Sequence, residues 1–424
     1  MNLFDVISAV IAIVALCGYA NARFVRLPDS IGITAVALLI SLATVAIGAA
    51  SPAVARWSHA IATQVDFPTL VFHGLLGLLL FAGSLHVNFS VLARSRWTIL
   101  TLATVGVVLS TGILGLAFFY AARLLGTPLK LIDCLLFGAL VSPTDPVASL
   151  DLLRRAKVSS ALLTTIAGEA LFNDGTGVVF FTVLLAIATG TQSPAPAHVA
   201  ALLAKEVLGG IFFGLGAGYA GVLLLRSIES YAVEILVTLA MATTGYALAD
   251  QLGVSAPIAA VVMGLVVGNG RVYAMSELSC ARVFTFWDQA DNLLNLLLFG
   301  LIGLELTALA GTALAFAGLA ILSIPIALAA RLVSVAVPIA ILTPFQRFEP
   351  ASVRLLTWAG LRGALAIALA LSLPEHSAAR APIVTATYAI ALFSTLAQAT
   401  TVEPLARRWT RVASERATRH CPRR

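Results

Sequence analysis

The 424 residues are 60% apolar and only 11% charged, with a formal net charge of +6. An ordinary soluble domain carries about 25% charged residues, so a water-soluble enzyme or binding module is excluded and a polytopic membrane protein is implied. The positive charges fall at the ends of apolar segments and in the C-terminal tail. That is the pattern of membrane topology and lipid-surface attraction, and it argues against nucleic acid as a partner.

A membrane span needs about 20 mostly apolar residues. Thirteen are read in chain order, near 4–22, 31–50, 68–88, 97–121, 131–150, 160–189, 206–225, 232–250, 256–269, 291–307, 311–342, 352–373 and 382–402. The chain opens MNLFD with no basic stretch before the first apolar run, so that run reads as a retained span and not a signal peptide. The ninth span is short, bracketed by Pro257 and the Gly268-Asn269-Gly270 turn. The eleventh is long and holds Pro325, Arg331 and Pro338, which leaves it open as one tilted helix or two half-passes.

Charge tests the count. With thirteen spans, nineteen of the 26 Lys and Arg residues fall in the tail and in loops on its side of the membrane, five fall on the other side, and Arg331 and Arg362 lie inside spans. By the positive-inside rule the C-terminus is cytoplasmic and the N-terminus outside. Residues 1–405 form the membrane domain, and 406–424 read as a short basic cytoplasmic tail, too small to fold. The four cysteines are scattered without metal-ligand spacing or a disulfide framework. No GxxxxGK[ST] stretch occurs, which argues against nucleotide binding and an ATP-driven pump.

Ionised residues concentrate between Leu140 and Phe180. In Ser142-Pro143-Thr144-Asp145-Pro146 two prolines stand three apart in the middle of the fifth span. Each removes a backbone donor and clashes with the preceding turn. In a membrane, freed backbone groups are tolerated only against protein or a wet cavity, and a broken helix with an acid at the break is how several transporters build ion sites. In Gly168-Glu169-Ala170-Leu171-Phe172-Asn173-Asp174-Gly175, Glu169 and Asn173 share a helical face while Asp174 is rotated about 100° away. A charge at a helix centre costs about 2.5–3.5 kcal/mol on insertion scales, so three acids here demand a use. In the twelfth span, Trp358-Ala359-Gly360-Leu361-Arg362-Gly363-Ala364 holds a buried arginine that needs a carboxylate, with Glu169, Asp145 and Asp174 as candidates. Lesser candidates are Arg331, read as structural pairing, His86 in the third span, and Asn292 and Asn295 in the tenth.

TDPVA, GEALFNDG and GLRGALA, in this order, resemble the monovalent cation:proton antiporter family, in the branch of the prokaryotic NhaP proteins and the animal sodium/proton exchangers. The resemblance covers roughly residues 1–405. It implies an NhaA/NhaP-like all-α fold of about 13 transmembrane helices in two inverted repeats with broken crossing helices. Spans 1–6 and 8–13 would be the repeats, the broken fifth span answering the twelfth. It also implies a homodimer in the cell membrane, with ion-carrying core helices around 131–189 and 352–402. No cofactor is implied. The function implied is exchange of Na+, with K+ or Li+ as alternatives, for H+ by alternating access; a cation channel without proton coupling is the competing reading. By the same resemblance Asp174 is the ion- and proton-binding carboxylate, with Asn173 beside it. Asp145 and the Thr144 carbonyl line the metal-ion site for Na+ or K+, and Glu169 pairs with Arg362. Two departures stand out. Many relatives have Ser where this chain has Ala170, and several carry an acid in the third span, where this chain reads Leu80-Phe81-Ala82-Gly83-Ser84-Leu85-His86.

Overall fold

The computed structural model describes residues 3–51, 67–145, 147–304, 315–346, 348–349 and 351–419. Apart from one isolated bridge, the described residues are helical or in turns and loops. In chain order the helices are α1 Leu3–Ala20, α2 Asp29–Ala50, α3 Phe67–Leu85, α4 Arg96–Leu124, α5 Leu131–Val141, α6 Val147–Arg155, α7 Ser160–Ala188 and α8 Pro196–Arg226. They continue as α9 Tyr231–Gln251, α10 Ala256–Ala274, α11 Glu277–Leu304, α12 Ala317–Leu342, α13 Ser352–Ala359, α14 Ala364–Leu371, α15 Arg380–Phe393 and α16 Ala399–Arg419. A turn of π-helix, Ser394–Gln398, joins α15 to α16.

Taken in pairs where the chain breaks, these helices follow the thirteen expected spans one for one. Eight are long and apolar enough to cross a membrane, and three further apolar helices are shorter. The fifth and twelfth spans are each split, into α5 and α6 and into α13 and α14. The eleventh is a single helix, α12, that runs through Pro325 and Pro338. It therefore reads as one crossing.

The expectation of an unfolded tail from residue 406 is corrected. Helix α16 starts at Ala399 and continues through Arg419, so the boundary at 405 falls inside it. Alanine and arginine are strong helix formers, and Glu403 pairs with Arg407 one turn on at 2.5 Å. An aromatic core of Phe67, Phe118, Phe137, Phe181 and Phe299 closes the region where α3, α4, α5, α7 and α11 meet, with the Phe118 and Phe137 rings stacked at 3.9 Å. A second core joins α3, α9, α10 and α11 around the fully buried Trp287.

Candidate ion site at two crossed helix breaks

Helix α5 stops at Val141 because Pro143 brings no N–H and cannot continue its ladder. Helix α13 stops at Ala359, and α14 begins only at Ala364. The two unwound segments cross. The Asp145 N–H donates to the Leu361 carbonyl at 2.9 Å, an antiparallel bridge between the two breaks. Neither glycine of the second break has positive φ: Gly360 sits at φ −74° and Gly363 at φ −114°. They are needed for space. A Cβ on Gly363 would lie 2.5 Å from Asp145 Oδ2, and one on Gly360 would lie 2.6 Å from Arg331 Nε.

Glu169 is 1% exposed, and its carboxylate is held by Arg331 of α12 through both guanidinium nitrogens, Nη1 to Oε1 at 2.5 Å and Nη2 to Oε2 at 3.0 Å. The Arg331 Nη2 also reaches the Leu356 carbonyl at 3.1 Å. The expected Glu169–Arg362 pair is therefore corrected. Arg362, 4% exposed, donates from Nη1 to the carbonyls of Ser142 at 2.5 Å and Pro143 at 2.7 Å. The cause is geometric: crossing the breaks puts Arg362 against the C-terminal end of α5, where carbonyls lack helical partners and a cation is favoured. Its own N–H is fixed by Ser394 Oγ at 2.8 Å, and Gln398 holds Ser394 and the Trp358 carbonyl.

Asn173 is buried, and its amide is engaged by Thr144. Its Nδ2 donates to Thr144 Oγ1 at 2.8 Å, and its Oδ1 accepts from the Thr144 N–H at 3.3 Å. Asn173 thus braces the first break against α7 through Thr144. Asp174, one residue on, turns the other way into a cavity of about 700 Å³ that Thr144 and Asp145 also line. Of the six expected site residues, Asp174, Asp145 and Thr144 meet at that cavity, while Asn173, Glu169 and Arg362 stand behind it.

The cavity runs from Asp174 along the first half of α7, past Ala167 and Ala170, to Asp151, Arg154 and Ser160 at the basic turn. Both departures from the family pattern lie on its wall, Ala170 on α7, and Gly83 on α3 with His86 just past its end. Facing them, α11 presents Asp288, Asp291, Asn292 and Asn295. Sequence reasoning placed Asn292 and Asn295 in the core but missed both aspartates; the signal was there in the spacing, since Asp288, Asp291 and Asn295 repeat at helical intervals. His86 Nε2 lies 3.2 Å from Asp288 Oδ1. Arg331, read as a structural pair without a partner, turns out to hold Glu169.

Residues 11–408 match the sodium/hydrogen exchanger transmembrane family. The chain is 43% identical to the Na(+)/H(+) antiporter NhaP of Pseudomonas aeruginosa over 418 residues, 96% of this chain and 97% of that protein. The chain belongs to the sodium/hydrogen exchanger family. It is also 31% identical to the Na(+)/H(+) antiporter NhaH of Halobacillus dabanensis, over 91% of this chain and 93% of the relative. The fold of this exchanger is that of the sodium proton antiporter MjNhaP1 from Methanocaldococcus jannaschii at pH 8, with a TM-score of 0.72 at 19% identity, covering 96% of this chain and 99% of the other. These relatives are transporters and not enzymes, and the exchanger is a multi-pass membrane protein of the same kind.

Proposed function

We propose that this exchanger moves Na+ against H+ by binding one or the other at Asp174, with Asp145 and the Thr144 carbonyl as further ligands of the cation. K+ and Li+ are the alternative substrates. The observation that carries the reading is the cavity that ends on Asp174 and Asp145 at the crossing of two helix breaks. Competition of proton and cation for one buried carboxylate gives exchange with no energy source beyond the two gradients. Asp145 has its N–H on Leu361 and its carboxylate against Gly363, the residue that precedes α14. A helix N-terminus favours the charged carboxylate, so Asp145 serves as a standing cation ligand while Asp174 titrates. Asn173, neutral and committed to Thr144, adds no second titrating charge, and one cation exchanges for one proton. The chain works as a homodimer in the cell membrane, N-terminus outside and C-terminus cytoplasmic. With that orientation the cavity opens to the cytoplasm, because its mouth is the Arg154 turn, and the aromatic core closes the other side.

The test is Na+-dependent proton movement in proteoliposomes, repeated across Na+, K+ and Li+. Wild-type protein releases protons when Na+ is added, at a rate insensitive to an imposed membrane potential, and Asp174→Asn abolishes the response. A cation flux that follows the potential without proton movement would mark a channel and sink the proposal.

A further inference from the structure

Two buried arginine donors in the transport core have no protein acceptor among the described residues. Arg331 is 7% exposed and Arg362 4% exposed. The Nη groups of Arg331 are committed to Glu169 and Leu356, and Nη1 of Arg362 to the first break. That leaves Arg331 Nε and Arg362 Nη2 unpartnered. Both residues line one small cavity of about 10 Å³ between α12, the second break and α15, with Gly360, Ala327 and Gln398. Ile324, Leu328 and Phe393, half-buried apolar residues, also line it. A polar group left bare among apolar side chains is costly.

We propose that this cavity is a binding site for a single internal water that joins the two arginines. The volume is that of about one water. The water accepts from Arg331 Nε and Arg362 Nη2 and donates to Gln398 Oε1, which accepts from Ser394 Oγ and keeps a second lone pair. Gly360 keeps the space clear, since any side chain there would meet Arg331 Nε at 2.6 Å. A halide would also satisfy donors alone, but the cavity is too small for one. The water closes a continuous network from Glu169 through Arg331 and Arg362 to the carbonyls of Ser142 and Pro143. Helices α7 and α12 and the two breaks then move as one body around Asp174.

Ala327, which lines the cavity, allows a test by shape-matched substitutions. In Ala327→Thr the hydroxyl can take the acceptor role of the water; in Ala327→Val a methyl of the same size cannot. The expected result is density for one water between Arg331 and Arg362 in wild-type exchanger in nanodiscs, at a resolution where ordered waters are seen. Ala327→Val should lose that density, unfold at lower temperature and turn over severalfold more slowly, with the half-saturating Na+ concentration unchanged. Ala327→Thr should keep most of both stability and turnover. A dry cavity in the wild type, an anomalous bromide peak in it, or equal behaviour of the Val and Thr variants would each overturn the proposal. None of these results bears on Asp174 as the carrier, which the exchange assay of Asp174→Asn tests separately.

Discussion

The two helix breaks have one geometry and opposite chemistry. The first is made by prolines that withdraw backbone donors, and it carries an acid. The second is made by glycines that withdraw side chains, and it carries an arginine. Each charge settles on the other break. Asp145 lies against Gly363 at the start of α14, and Arg362 caps the carbonyls at the end of α5. Helix ends carry partial charges of opposite sign, so the crossing stabilises both side chains. What differs is access. The acid faces the cavity, and the arginine stays behind it. On the proposed reading, charge at the first break serves the ion, while charge at the second is architecture.

The sharpest separation of those roles comes from Asp174→Asn, beside the first break. Exchange should fall to background in vesicles while the thermal midpoint in detergent stays near that of wild type, because Asp174 is half-buried in the cavity wall. A large drop in stability would show that the carboxylate is structural after all.

At the second break the expectation reverses. Arg362→Gln leaves the Ser142 and Pro143 carbonyls without their donor, and hydrogen bonds to charged groups contribute about 1.5–3 kcal/mol each. Unfolding should shift by about 3 kcal/mol, with transport lost in proportion to the misfolded fraction and beyond. An Arg362→Gln protein as stable as wild type would mean that the first break holds itself together.

The arginines themselves can be told apart by a double-mutant cycle. Glu169→Gln with Arg331→Gln should show coupling of about 1–3 kcal/mol, whereas Glu169→Gln with Arg362→Gln should be close to additive. Coupling confined to the second pair would overturn the assignment of Arg331.

The smallest effect is expected at Asn173. Asn173→Ala frees the Thr144 N–H and hydroxyl, at a cost of about 1–3 kcal/mol, and should weaken apparent Na+ affinity without adding any dependence on membrane potential. A transport current appearing in wild type would show that Asp145 shares the proton work.

Much of this architecture was legible in the chain. Hydropathy and the alternation of Lys and Arg mark thirteen candidate crossings because both are local properties, read segment by segment against a bilayer of set thickness. Prolines and glycines marked the two breaks because their effect on the backbone does not depend on distant neighbours. The family motifs named Asp174, Asp145 and Thr144, and the structure gathers those three on one cavity. The tail was misread because a polar composition was taken as absence of structure, although Ala399–Arg419 has the residues of a stable helix.

Which arginine holds Glu169 was decided only in three dimensions. Glu169, Arg331 and Arg362 sit on three different spans, and their order along the chain carries no information about the angle at which the breaks cross. Once the crossing turns Arg362 Nη1 toward the carbonyls past the end of α5, it is held there, and α12 brings Arg331 to the acid left open. Local chemistry along the chain marks where backbone and charge are out of place in a membrane. Which of them meet depends on packing, because a buried charge settles on the compensating group within reach, and reach across spans exists only once the helices are packed.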